Sequence, residues 1–136
     1  MRRLLIANAV LAALLLVHIA DHALRQPAEE QLGAAASLPG LLGTVAVFVS
    51  LAVVALRRPW ARALAGAVGV LTALGFAAVH LAPRWSMFSD PYADRALDAG
   101  SWIGMLVSLA AGVVLALMAR TARSGGAPRR RGLPAD

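Results

Sequence analysis

Cysteine is absent from the chain. That excludes a disulfide framework, a Cys-ligated zinc or iron–sulfur centre and thiol redox chemistry. Charge is scarce as well: Asp, Glu, Lys and Arg make up 15% of the 136 residues, against about 25% in an ordinary soluble domain. Acidic residues number only 7 beside 13 basic ones, and every basic residue is an arginine. No Walker motif, no glycine fingerprint of a dinucleotide fold and no Gly-x-Ser-x-Gly elbow occurs. What the chain has in abundance is apolar side chains, 60% of the total, with a mean hydropathy of +0.71. This composition excludes a soluble enzyme, a disordered tail protein and a nucleic-acid-binding module, although the net charge is +6. At this length one domain is the limit. The remaining class is a small integral membrane protein.

A membrane-crossing helix needs about 20 mostly apolar residues. Four segments satisfy this: Leu4–Ala23, Leu38–Leu56, Ala63–Ala82 and Ser101–Ala119. The alternating pattern of barrel strands is missing, so an outer-membrane barrel is not expected. The expected fold is all-α, an integral-membrane four-helix bundle formed by residues 1–123, followed by a disordered basic tail over 124–136. The first span begins on Arg2 and Arg3 like a secretory leader. The residues after Val17 are His-Ile-Ala-Asp-His, with no small-x-small cleavage site, so it reads as a retained anchor.

Arginine placement predicts the orientation. Arg2, Arg3, Arg57, Arg58, Arg62, Arg120, Arg123, Arg129, Arg130 and Arg131 fall on one side of such a bundle, and only Arg25, Arg84 and Arg95 on the other. The positive-inside rule then gives an up-down-up-down path in the cytoplasmic (inner) membrane with both termini cytoplasmic. The basic pI thus reports topology, and the expected surroundings are lipid rather than nucleic acid. Six of the seven acids lie toward the opposite face: Asp21, Glu29, Glu30, Asp90, Asp94 and Asp98. Trp60, Trp85, Tyr92 and Trp102 fall at span ends, where amphipathic rings anchor in the headgroup layer. Small residues suited to close helix approach recur in the second, third and fourth spans. They include a ladder of Gly104, Ser108 and Gly112 that offers a face for a membrane partner or a second copy of the chain.

All three histidines lie at the acidic ends of spans one and three. His18 and His22 are four apart and share a helix face, with Asp21 about 60° to one side of His18. The third span brings His80 to the same depth. Val17-His18-Ile19-Ala20 and Val79-His80-Leu81-Ala82 also form a faint repeat. Three imidazoles and a carboxylate are a plausible ligand set for a divalent metal such as zinc or copper: His18, Asp21, His22 and His80. Asp90, Asp94 and Asp98 from the second acidic loop are candidates to orient a histidine or close the site. The string is not the HExxH of zincins, and it names no reaction. Ser86 and Ser89 lie nearby without an elbow motif. Sensing, handling or metal-assisted hydrolysis all remain open, as does the choice between enzyme and non-enzyme. Three other readings stand beside metal binding. One is a purely structural polar cluster in an accessory or scaffold subunit. Another is a b-type haem held between His80 and a first-span histidine. The third is a pH-responsive histidine cluster.

Overall fold

The computed structural model describes residues 1–25 and 38–121. The described residues are all-helical: α1 (Arg2–Arg25), α2 (Leu38–Ala55), α3 (Ala61–Phe76) and α4 (Ala99–Thr121). A π-helical turn, Ala77–Leu81, extends α3, and a 3-10 turn, Tyr92–Asp94, interrupts the loop before α4. Four helices are long and apolar enough to cross a membrane, and their ends lie within two residues of the spans read from hydropathy. The expected tail, together with Glu29 and Glu30, lies outside the described residues.

The helix ends follow from local chemistry. Pro39 occupies the start of α2, where its missing N–H costs no helical bond. The far end closes in a Schellman motif: Arg58 N–H donates to the Val53 carbonyl and Arg57 N–H to that of Val54. Arg57 takes the left-handed conformation, φ 52°, at the position where glycine is usual. Asp98 caps α4, its Oδ1 accepting from Ser101 N–H at 2.9 Å. At the other end of α4 the Arg62 guanidinium donates to the Ala119 carbonyl at 3.4 Å, placing a cation where the helix dipole is negative.

The helices form a ring in which α1 packs on α2 and α4, and α3 packs on the same two. The closest approach is between α3 and α4. A Cβ added to Gly69 would stand 2.6 Å from the Gly112 carbonyl oxygen, and one on Gly112 would stand 3.0 Å from that of Gly69. Backbone contact of this kind supplies the packing that apolar side chains alone cannot, because lipid competes for them. Of the α4 ladder, Gly112 and Ser108 are buried within the chain, and a Cβ on Gly104 would meet nothing within 4 Å. Gly112 meets α3, and fully buried Ser108 donates to the Gly104 carbonyl of its own helix. Between α1 and α2, Asn8 Nδ2 donates to Ser50 Oγ at 2.7 Å, and both residues are fully buried. The first half of α2 is looser. None of residues 38–46 is buried, whereas Val47, Ser50, Val53 and Val54 are.

Candidate metal centre

The inward face of α1 is a stripe of Leu4, Leu11, Leu15, His18 and His22, all buried. At 100° per residue these five fall within about 60° of one another. The last two turns of that stripe place imidazoles where the preceding turns place leucines. α3 lies diagonally across the ring from α1 and contributes His80, also buried. In a regular α-helix a residue overshoots its i−4 neighbour by about 40°. The π-helical turn widens the last turn, with Ala82 N–H donating to the Ala77 carbonyl. This keeps His80 over Phe76, at a ring-centroid separation of 5.7 Å. Single π-helical turns of this type recur at functional sites.

The three imidazoles meet. Ring centroids are 4.5 Å apart for His18 and His22, 5.2 Å for His18 and His80, and 5.6 Å for His22 and His80. One nitrogen from each ring lies within 4.8 Å of the other two. Phe76 packs against His18 from the bundle interior at 4.8 Å. Tyr92 covers the cluster from the loop, its ring 4.6 Å from His80 and held edge-on by Trp102 at 5.4 Å. The Tyr92 hydroxyl reaches His22 Nε2 at 3.3 Å. Burial, reinforced by the charges of Asp21 and Asp90 against the opposing charge of Arg95, raises the phenol above its ordinary range, so it keeps its proton.

His80 is oriented by main chain. Its Nδ1 lies 3.1 Å from the Asp90 carbonyl oxygen. A carbonyl can only accept, so Nδ1 carries the proton and Nε2 presents its lone pair. Asp90 N–H in turn donates to the Val79 carbonyl at 2.9 Å. The backbone of residue 90 is thereby clamped to two consecutive residues at the end of the third span. The Asp90 carboxylate itself turns to Arg95, at 2.6 Å in a largely buried ion pair. Trp85 adds a further tie, its indole donating to the Ala78 carbonyl at 2.7 Å. Ser86 and Ser89 shape this loop, with Ser89 Oγ accepting from the backbone N–H of Trp85 and of Ser86.

The carboxylates proposed from sequence are placed as follows. Asp21 is half-buried and stands outside the group whose donor atoms converge. It lies about 100° around α1 from the line through Leu4 and His22. Asp90 serves His80 through its carbonyl rather than its side chain. Asp98 caps α4, and Asp94 is exposed. Tyr92 differs from the expectation of an interfacial anchor. It is fully buried over the histidines, whereas Trp60 and Trp85 are exposed. Sequence reasoning missed Tyr92, Phe76 and Arg95 at this site. Only the proximity of Tyr92 to a span end hinted at it, and that signal pointed to lipid.

A cavity of about 430 Å³ adjoins the imidazoles, bounded by α1, the loose first half of α2 and α3. Chemically, the arrangement offers three imidazoles from two helices, a hydroxyl beside one of them and an adjoining apolar space. Comparison of the chain with protein-family models, with curated proteins and with solved structures finds no match.

Proposed function

We propose that the chain binds one divalent transition-metal ion through His18, His22 and His80, at the extracytoplasmic end of a bundle in the cytoplasmic membrane. In this reading the helices run up-down-up-down and both termini are cytoplasmic, as the arginine distribution supports. The observation that carries the metal reading is the convergence of three buried imidazole nitrogens, from two helices, within 4.8 Å of one another. The three rings also lie in mutual contact, which sets one nitrogen of each near the other two. Zinc–nitrogen bonds of about 2.0–2.1 Å require only a small inward movement of the rings. Imidazole donors suit zinc and copper, and three of them leave a coordination position open.

The same geometry speaks against the haem reading. The rings lie in mutual contact, an arrangement that fits one small ion between them rather than a macrocycle. For metal-assisted hydrolysis a bound water would occupy the open position, its pKa lowered by the ion to about 7. Sensing and metal handling need only the reversible occupancy of the site.

Elemental analysis of the full chain, purified in detergent from metal-supplemented cells, tests the proposal. The expected result is one equivalent of zinc or copper per chain. His80→Ala and His18→Ala are expected to lower the affinity at least tenfold, on the scale of losing one of three ligands. A wild-type protein that binds neither metal, or variants with unchanged metal content, overturns it.

A further inference from the structure

We infer that the open position of this metal centre takes the carboxylate head of a single-chain amphiphile, a fatty acid, whose chain fills the adjoining cavity from the bilayer side. The inference rests on the metal reading and names the ligand of that site. The cavity volume of about 430 Å³ lies within the range of about 300–1,000 Å³ common for small-molecule sites. Its walls are hydrocarbon: Leu15, Ile19, Val47, Val68, Phe76 and Val79 are among them. Polar side chains enter at few points. They are the three imidazoles, Thr72 and Thr44, the last already committed to the Gly40 carbonyl. The rim includes Leu42 and Leu71, 59% and 67% exposed, both inside membrane-spanning segments. A ligand entering past them comes from lipid.

Two glycines of the wall show that the space is kept open. A glycine inside a helix costs about 1 kcal/mol relative to alanine. Gly69 and Gly112 return that cost in backbone contact. Gly43 and Gly75 do not: a Cβ at either would meet nothing within 4 Å, and neither has a positive φ. Both line the cavity. Neither turn geometry nor helix packing requires them, and their missing side chains add to the open space of the cavity. The head group follows from charge. Three neutral imidazoles bring no charge of their own to a buried dication, and carboxylates outside the ligand set offset it only in part. An anionic oxygen donor entering from the cavity offsets it, and the carboxylates of Asp21 and Asp90 stand outside the converging group.

Cobalt(II) titration of the full chain in lipid nanodiscs provides the test, because the visible spectrum of cobalt reports its coordination. Acetate, octanoate and palmitate are added in turn to cobalt-loaded protein. The expected result is a spectral change with palmitate at a concentration at least about tenfold below that for acetate, as chain burial adds to head-group coordination. Gly43→Leu and Gly75→Leu are expected to keep the cobalt spectrum and to weaken the palmitate response about tenfold or more, with partitioning into the same nanodiscs unchanged. Cobalt binding with no dependence on chain length, or a palmitate response unaltered in both variants, overturns this inference alone. A wild-type chain that takes up no cobalt overturns the metal reading and this inference with it. Should either leucine variant fail to fold, the other variant and the chain-length series on the wild type still decide.

Discussion

Tyr92 separates ligand from support. Its ring packs on His80 and Trp102, and its hydroxyl meets His22. Tyr92→Phe keeps the ring contacts and removes one hydrogen bond, a change of about 0.5–1.5 kcal/mol in stability. If the hydroxyl orients His22 toward a metal, the same substitution lowers metal affinity by about 10–100-fold. Calorimetric titration of wild type and variant, with thermal unfolding of the metal-free proteins alongside, distinguishes the two effects. An affinity that falls only in step with stability shows that the hydroxyl serves packing alone. Asp21 shows where sequence reading ends at this scale. Its three-residue offset from His18 fits a broad polar arc, but the arc has a centre, set by Leu4, Leu11 and Leu15, and Asp21 lies at its edge. Only the tertiary packing of those leucines locates that centre.

At the scale of the element, the four helices were legible because long uninterrupted apolar runs admit little else, and the structure extends three of them by a residue or two into flanking arginines. The π-helical turn was not legible. Ala77-Ala78-Val79-His80-Leu81 has no local feature that distinguishes it from the ordinary helix before it. The widened turn answers to contacts made by the loop beyond, namely the Asp90 backbone and the Trp85 indole. Helix packing yields a paired prediction. Gly69→Ala forces a Cβ to within 2.6 Å of the Gly112 carbonyl oxygen, and the helix shift needed to relieve this costs about 1–3 kcal/mol. Gly104→Ala meets nothing within 4 Å and gains up to about 1 kcal/mol of helix propensity. Thermal unfolding in detergent should therefore move the two variants in opposite directions. Asn8 and Ser50 form a second fastening between spans, worth about 1 kcal/mol by the scale of such bonds in membranes.

At the scale of the whole molecule, the absence of cysteine becomes an experimental asset. Single cysteines placed at exposed Asp94 and exposed Arg58 can be labelled in intact cells without background from native thiols. The proposed topology predicts that an impermeant maleimide labels Asp94→Cys and not Arg58→Cys. The reverse pattern, or equal labelling, shows that the arginine count misassigned the sides. The ring arrangement also explains why the histidines could be grouped from sequence while their surroundings could not. Hydropathy places both span ends at one depth, and a short ring lets diagonal helices approach there. The path of residues 82–98, which lays Tyr92 over the cluster, depends on an ion pair and a few main-chain bonds that no periodicity encodes.

The clamp at residue 90 bears on how such a site varies among sequences. Both bonds that tie it to the third span use main-chain atoms. Any residue able to adopt that backbone can make them, and proline alone is barred for want of an N–H. Asp90→Asn should therefore leave metal content intact, while Asp90→Pro should lose it, as elemental analysis of the two variants would show. The groups of residue 90 that hold the third span are main-chain ones, while its carboxylate acts separately through the ion pair with Arg95. The clamp's mark in the sequence is a distance, the ten residues from His80 to the carbonyl that orients it.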